Sequence, residues 1–327
     1  MTHFNRRQFG LAGAALAGGI VLPAHAAGYP ERDVTFILPW SPGGSVDGIS
    51  RQFCLQLEKQ LGGNVNVENR PGGSGTVGVG MVVRSKPDGY TIGYAGNGTL
   101  AYQPMVNKGL AWATPDDYQP LVKLFDMPTV LAVRKDSPFR NWQDFHAAVK
   151  AKPNQIKVGV SGLRTSSDMV LQQVNRLGNI KIRSVPFSGG SGESVIALLG
   201  GRIDAMAGYT EGVIGHVEAD TMRVIAVFQK GVYEPFPNAT PVADNGYPEA
   251  TLPATNYIIG PKGMPPDVLK KLVNGTKGAV TSEEFRKFAK KAGLILNPLG
   301  PTEIRDEIKK VSVTYAQLIK FLDENKS

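Results

Sequence analysis

The sequence has few of the side chains on which nucleophilic and metal chemistry depends. Its 327 residues include one cysteine and four histidines. The single cysteine, Cys54, excludes an intramolecular disulfide, and its place on the apolar side of a predicted helix indicates a buried side chain. Behind the predicted N-terminal leader only His146 and His216 remain. We therefore expect no metal, no cofactor and no catalytic residue.

The sequence also lacks long uncharged apolar runs beyond residue 26, which argues against a membrane-spanning protein. Hydrophobic residues make up 42% and charged residues 20%, the balance of a globular protein. The formal net charge is +8, a bias that suits an anionic ligand. Lysine and arginine are not clustered with aromatic residues, so nucleic acid is not an expected partner. The densest basic stretch, 286–291, is interpreted as the solvated face of a helix.

The first 26 residues have the pattern of an export signal. Arg6 and Arg7 form a basic start, Phe9–Leu22 is apolar, and Ala24–Ala26 matches the small-x-small cleavage rule. The arginine pair followed by x-Phe-x-Leu indicates the twin-arginine route, and an ordinary secretory signal is the alternative. Both routes cross the cytoplasmic membrane, so we expect a periplasmic protein. Cleavage removes two arginines and no acidic residue, which leaves 34 basic against 28 acidic residues.

Short apolar strands alternate with helical patterns, which is typical of α/β architecture. A length of 327 residues suits two lobes better than one compact core. At least five strand-to-helix loops are rich in Gly, Ser and Thr: 41–45, 71–75, 96–99, 161–167 and 186–191. In open α/β sheets the ligand crevice lies at the carboxyl ends of the strands, and helix N-termini offer N–H groups to an anion.

The second of these loops fits the dinucleotide pattern G-x-G-x-x-G at 73–78 and follows a candidate strand. The acidic residue expected about 20 positions later, at a strand end, is missing, because Asp88 sits in a turn. An anion-binding loop is the favoured interpretation. A glycine-rich turn without a ligand and a nicotinamide or flavin site are the alternatives.

Several loop residues have two interpretations each. Ser45 is expected to cap a helix, and Asp47 either favours the helix dipole or accepts from a ligand amine. Arg164 either binds a carboxylate through both guanidinium nitrogens or lies exposed at the loop rim. Phe187 and Tyr209 either close over a ligand or pack in the core.

Six blocks of the sequence carry a family resemblance. They are Pro-Trp-Ser-Pro-Gly-Gly at 39–44 with Asp47 and Arg51, Glu-Asn-Arg-Pro-Gly-Gly-Ser-Gly at 68–75, Pro-Asp-Gly-Tyr-Thr at 87–91, Val-Pro-Phe-Ser-Gly-Gly at 185–190, Leu-Gly-Gly-Arg-Ile-Asp at 199–204, and 260–265. Together they resemble the Bug family, the periplasmic solute receptors of tripartite tricarboxylate transporters. The resemblance covers essentially the whole mature chain.

The resemblance implies an α/β, two-lobed periplasmic-binding-protein (flytrap) fold, each lobe a central sheet flanked by helices, with two crossovers. Lobe 1 would comprise 28–128 and 249–327, and lobe 2 would comprise 129–248. The implied function is a monomeric solute-binding protein, not an enzyme, that captures a small carboxylate. The ligand would be a di- or tricarboxylate, aliphatic or aromatic, delivered to integral-membrane transporter subunits.

The loops and the resemblance together predict the ligand contacts. By the resemblance, the first two loops would hold one carboxylate through backbone N–H groups and ordered water, and lobe 2 would select the rest of the ligand. The predicted contacts are Trp40, Ser41, Gly43, Gly44, Ser45, Asp47, Gly72, Gly73, Ser74, Gly75, Asn97, Gly162, Arg164, Thr165, Ser166, Ser167, Phe187, Gly189 and Tyr209.

Two departures from the family pattern leave the ligand open. The block at 162–168 contains Arg164 and lacks the usual histidine, and Thr255–Tyr257 replaces the usual tryptophan region before the last strand. Two other functions also stay open. They are an exported ligand sensor of the same fold and a serine hydrolase that uses Ser41 or Ser166.

Overall fold

The computed structural model describes residues 28–43, 45–187 and 191–325, without the side chain of Ser45. The predicted export leader and the predicted contacts Gly44 and Gly189 lie outside the described residues. The strands are β1 (Val34–Leu38), β2 (Val65–Asn69), β3 (Thr91–Gly96), β4 (Tyr118–Met127), β5 (Val130–Arg134), β6 (Lys157–Val160), β7 (Arg183–Pro186), β8 (Ala205–Gly208), β9 (Met222–Val227), β10 (Thr240–Pro241) and β11 (Ala254–Pro261).

The helices are α1 (Ser45–Leu61), α2 (Thr76–Val83), α3 (Gln103–Val106), α4 (Trp142–Ala151), α5 (Ser166–Gly178), α6 (Ser191–Leu199), α7 (Thr210–Glu218), α8 (Pro266–Thr281), α9 (Glu283–Lys291) and α10 (Pro301–Glu324). Gly73–Gly75 forms a 3₁₀ turn and Gly98–Tyr102 a π-helical segment. Among the described helices, none combines the length and the apolar character that a membrane span requires.

The first sheet, at the centre of lobe 1, has the strand order β2-β1-β3-β11-β4. β1 pairs in parallel with β2 and β3, whereas β11 runs antiparallel to both β3 and β4. The register places Val34 opposite Val65 and Leu38 opposite Asn69. The loops that follow β1 and β2 therefore start at the same level.

The second sheet, at the centre of lobe 2, has the strand order β10-β9-β5-β8-β6-β7. β5 runs antiparallel to its neighbours β8 and β9, and the other pairs are parallel. Val160 on β6 lies opposite Pro186 on β7 and Ala207 on β8. The loops after these three strands therefore start at the same end of the second sheet.

The chain crosses between the sheets twice. It leaves the first sheet at Met127 and enters the second at Val130, and it returns between Pro241 and Ala254. The predicted α/β fold with two sheets, flanking helices and two crossovers is confirmed. The predicted lobe boundaries, 128/129 and 248/249, fall inside these two connections and stay predictions as residue numbers.

Helices cover both faces of each sheet, because neighbouring strand residues point to opposite apolar layers. On β1, Phe36 and Leu38 share a buried cluster with α1, α8 and α9, whereas Ile37 shares the opposite cluster with α2 and α10. In lobe 2, α4 and α5 join the Ile37 cluster, and α6 and α7 cover the other face. The Ile37 cluster therefore runs from one lobe into the other.

The predicted first helix is confirmed. α1 begins at Ser45 and ends at Leu61, directly before Gly62. Cys54 lies on its apolar face with 3% of its surface exposed. Burial raises the pKa of the Cys54 thiol far above its ordinary value, which keeps the group protonated. The cysteine therefore acts as a small apolar core residue.

β8 begins later than its apolar run predicts. The sequence run starts at Ile203, whereas the strand starts at Ala205. The N–H of Arg202 donates to the carbonyl of Ala197 and caps the end of α6, with Gly201 in the left-handed conformation. The cap ends at Arg202, so Ile203 and Asp204 form the short connection between the cap and β8.

Gly93 on β3 provides a test of the packing between the first sheet and α2. A Cβ atom at this position would lie 2.6 Å from the carbonyl oxygen of Ile37 and 2.7 Å from Cγ2 of Val82. We expect Gly93→Ala to lower the free energy of unfolding by about 1–3 kcal/mol, measured by urea denaturation. As a control, Gly215→Ala adds a methyl where α7 has open space, and it should stabilise by about 0.5–1 kcal/mol. Equal effects of the two substitutions would contradict this account.

Candidate functional site

The loops after β1 and β2 are tied together by one asparagine. Nδ2 of Asn69, the last residue of β2, donates to the carbonyl oxygen of Trp40 at 2.9 Å and to Oδ1 of Asp47 at 2.9 Å. Asn69 can make both hydrogen bonds because β1 and β2 are paired with Leu38 opposite Asn69, so that their two loops start side by side. The first two predicted loops therefore form one surface.

Asp47 organises this surface from the first turn of α1. Its Oδ2 accepts from the N–H of Gly43 at 3.1 Å and from Nε of Arg51 at 3.0 Å, while Asn69 occupies Oδ1. The hydrogen bond from Arg51, with those from Asn69 and Gly43, lowers the pKa of Asp47 to about 2, although burial opposes the change. Protein donors thus occupy both carboxylate oxygens of Asp47, and the Gly43 N–H is one of these donors. Direct ligand contacts of Asp47 and Gly43 stay predictions.

The second loop has an unusual backbone. Gly72, Gly73, Ser74 and Gly75 all have positive φ, at 132°, 56°, 54° and 89°. Only glycine adopts this conformation without cost, so Ser74 is held there by its surroundings. Its carbonyl accepts a hydrogen bond from Oγ1 of Thr99 at 3.0 Å, which links the second loop to the third.

The same backbone leaves N–H groups available at the surface. Among the described residues, no acceptor receives the N–H of Gly73 or of Ser74. Both residues are exposed at the start of α2. Successive backbone N–H groups in a turn can form a concave site for an anion. This loop can therefore bind an anion without any charged side chain.

The loop before α5 in lobe 2 is held by a network of hydroxyl groups. The Ser167 hydroxyl lies 3.1 Å from that of Ser161 and 3.0 Å from that of Thr165, and Thr165 also donates to the carbonyl of Gly162 at 2.9 Å. Ser167 is completely buried. Gly162, Thr165 and Ser167, which the sequence predicts as ligand contacts, therefore fix the shape of the loop around Arg164.

Arg164 has a left-handed backbone, with φ of 62°, at the tip of this loop. Its N–H donates to Oδ2 of Asp168 at 2.8 Å, and Asp168 is 1% exposed. The side chain of Arg164 is half-buried, and its charge acts on Tyr102 of lobe 1. Burial raises the pKa of the Tyr102 phenol in lobe 1, and the nearby Arg164 charge partly opposes this rise.

Asn97 and Ser166 meet across the two lobes. The hydroxyl of Ser166 donates to Oδ1 of Asn97 at 3.5 Å, and Nδ2 of Asn97 donates to the carbonyl of Pro253 in the return connection at 3.0 Å. Tyr209 joins them from lobe 2, with its hydroxyl beside Ser166 and the Ser167 N–H. Burial raises the pKa of Tyr209 well above its ordinary value despite these hydrogen bonds. We call Asn97, Ser166 and Tyr209 the interlobe junction.

The other predicted contacts lie further out. Trp40 is 38% exposed and Ser41 is exposed, and in the described part of the chain neither side chain makes a hydrogen bond. Phe187 is half-buried and packs against the apolar layer of α6 and α7. The structure thus brings the second and third loops of lobe 1 together with the α5 loop, and it leaves Trp40 and Ser41 at the rim.

Sequence reasoning missed Tyr94 and Asn256. The Tyr94 hydroxyl donates to Oδ1 of Asn256, and both residues are buried in lobe 1. Burial raises the pKa of Tyr94 well above its ordinary value. Thr255–Tyr257 was expected before the last strand, but these residues lie within β11. A polar Asn inside an apolar strand is the signal that could have identified the pair.

A family model described as the tripartite tricarboxylate transporter family receptor, TctC, matches residues 49–303. The chain belongs to the TctC family. BugT of Bordetella pertussis is 27% identical over 266 residues, and the alignment covers 81% of this chain and 81% of BugT. The resemblance to the Bug family is thereby confirmed.

Solved structures share the fold of this TctC-family chain. MatC from Rhodopseudomonas palustris, with bound malate, is 22% identical with a TM-score of 0.75, covering 89% of this chain and 100% of MatC. A second R. palustris protein, with adipate, is 22% identical with a TM-score of 0.79, covering 89% of this chain and 97% of that protein. At these identities the likeness establishes the fold alone.

We expect Asp47→Asn to destabilise the protein in a pH-dependent way. A carboxyl with a pKa of about 2 in the folded state and an ordinary pKa when unfolded stabilises above about pH 4, and this stability is lost as the pH falls through 2. The variant should lose about 2 kcal/mol of unfolding free energy at pH 7 and less near pH 2, measured by urea denaturation. Asp306→Asn, at an exposed position on α10, is the control. An equal loss at both pH values would show that ionisation is not the cause.

Proposed function

We propose that this TctC-family chain is a periplasmic receptor that captures a small di- or tricarboxylate between its lobes. It delivers the ligand to membrane subunits of a tripartite tricarboxylate transporter and performs no chemistry on it. The exposed N–H groups of Gly73 and Ser74, on a loop fixed by Thr99, carry this proposal. Arg164 on lobe 2 supplies the opposing positive charge.

The expected binding energy is within reach of these groups. A micromolar receptor needs about 8 kcal/mol. Hydrogen bonds to a charged group contribute about 1.5–3 kcal/mol each, and association costs at least about 4 kcal/mol. The two free N–H groups and two hydrogen bonds from one bidentate arginine give about 6–12 kcal/mol before this cost, so micromolar affinity requires bonds at the strong end of this range. A ligand that bridges the lobes favours the closed form, which the transporter then recognises.

The class of ligand is supported by proteins of the same fold. One holds malate and the other adipate, and both ligands are dicarboxylates. A dicarboxylate fits a site with an anion-binding loop on lobe 1 and an arginine on lobe 2, because each end finds its own donors. The predicted contacts named above are retained as parts of this proposal.

A hydrolase is disfavoured by the positions of the two histidines in the described chain. His146, on α4, packs against Trp142 of the same helix and contacts the hydroxyl of Tyr247. His216 lies beside Thr221 at the end of α7. Neither is within hydrogen-bonding distance of Ser41 or Ser166, as a serine nucleophile would require. A sensor of the same fold remains the second candidate, because it would bind the same ligand.

We expect a carboxylate to stabilise the purified protein in a thermal-shift screen of mono-, di- and tricarboxylates. At a ligand concentration of a hundred times the dissociation constant, binding to the folded state adds about 2.7 kcal/mol of stability. Methyl esters of the best acid are the control, because esterification removes the charge that the N–H groups bind. The absence of any saturable shift with every acid would contradict the proposed function.

We expect Arg164→Gln to weaken binding of the best dicarboxylate by about ten- to a hundredfold in isothermal titration calorimetry. Arg164→Lys should recover part of the loss, because it keeps the charge but loses bidentate geometry. Arg183→Gln, at an exposed position of β7, is the matched control. An unchanged dissociation constant in Arg164→Gln would remove this residue from the site.

A further inference from the structure

A recess lies across the two lobes, and none of the predicted carboxylate contacts is among its lining residues. It has a volume of about 490 Å³. Lobe 2 contributes one wall from the segment 229–235, and lobe 1 contributes the other from α9 and the segment that follows it. We call this recess the α9 groove and define it by Val232, Glu234, Arg286, Lys290, Lys291 and Ile295.

The α9 groove has an excess of positive charge. Arg286, Lys290 and Lys291 line it, and Glu234 is the one acidic residue among the lining residues described. Lys290 lies 3.6 Å from Glu234, with both side chains 80% exposed. Arg286 and Lys291 have no ion-pair partner in the described part of the chain. The basic stretch that the sequence assigns to a solvated helix face therefore lines a recess.

The α9 groove also has exposed apolar walls. Val232 is 69% exposed on the side of lobe 2, and Ile295 is 37% exposed on the side of lobe 1. A protein segment with acidic and apolar side chains would find partners of both kinds on these walls.

The floor of the α9 groove is a contact between the lobes. The Tyr233 hydroxyl from lobe 2 donates to the carbonyl of Gly293 in lobe 1 and contacts the hydroxyl of Thr210. Tyr233 is 4% exposed. Because the two walls belong to different lobes, any change in the angle between the lobes changes the width of the groove.

We infer that the α9 groove is the docking site for an acidic segment with apolar flanks on a membrane subunit of the transporter. This inference rests on the proposed function. The unpaired cations of α9 would bind the acidic side chains, and Val232 and Ile295 would contact the apolar flanks. Since the width of the groove changes with the lobe angle, the transporter would distinguish closed receptor from open receptor there.

Glu234 indicates the chemistry that the groove accepts. Its carboxylate already lies beside Lys290, but an exposed pair of this kind is weak and can be replaced. An acidic side chain of the partner would take this position. A flat anionic membrane surface fits less well, because the cations line a recess between two walls rather than a convex face.

The test uses charge reversals in the full-length gene at its native locus. Arg286→Glu with Lys291→Glu changes the groove, and Lys287→Glu with Lys309→Glu makes the same change of charge at exposed positions outside it. For each variant, calorimetry measures affinity for the best carboxylate of the thermal-shift screen, and whole-cell uptake measures transport of that carboxylate. Glu234→Gln, which frees Lys290, is the third variant.

We expect the groove variant to bind the carboxylate with unchanged affinity and to reduce uptake on the order of tenfold, with normal uptake in the control. Glu234→Gln should keep or raise uptake at limiting receptor. Normal uptake in the groove variant overturns the inference, as does an equal loss in both double variants.

Flotation with vesicles of anionic phospholipid that depends on Arg286 and Lys291, with normal uptake, assigns the groove to lipid instead. Failure of the unsubstituted protein to bind any carboxylate overturns the proposed function itself, and is recognised by calorimetry before uptake is measured.

Discussion

The proposed anion-binding surface of lobe 1 depends on the carboxylate of Asp47. It accepts hydrogen bonds from Gly43, Arg51 and Asn69, which belong to three separate stretches of chain. A charged acceptor with several donors is stronger than neutral hydrogen bonds in the same place, and its low pKa expresses that strength. The first loop is thereby set against β2 before any ligand arrives. Such preorganisation lowers the entropy cost of binding.

The two lobes are joined by polar contacts as well as by the two chain crossings. Asn97 lies between them, and it contacts Ser166 on one side and the return connection at Pro253 on the other. Each buried polar group here must keep a partner, because an unpaired one costs about 1–3 kcal/mol. Under the proposed function, opening of the lobes would exchange these contacts for water, and a ligand that binds both lobes would favour the closed form.

The local order of strand, loop and helix could be predicted from the sequence, because each loop follows its strand directly. The glycine-rich stretch at 72–75 was predicted as an anion-binding loop on this basis. Contacts between distant parts of the chain could not be predicted. Tyr94 and Asn256 are 162 residues apart in sequence, and they meet only because β11 returns to the first sheet beside β3. The left-handed backbone of Ser74 could not be predicted either, because serine rarely adopts the left-handed conformation that glycine adopts freely.

The place of β11 in the first sheet has a consequence for the order of folding. β11 lies between β3 and β4, yet it begins at Ala254, after the whole of lobe 2 has been synthesised. Until then β4 has no neighbour that joins it to the sheet, and its apolar edge stays unprotected. Lobe 2 is continuous in sequence and can fold as a unit first, whereas lobe 1 must wait for its second segment, 249–327. A nascent chain stopped before Ala254 would therefore be a substrate for chaperones and proteases rather than a receptor.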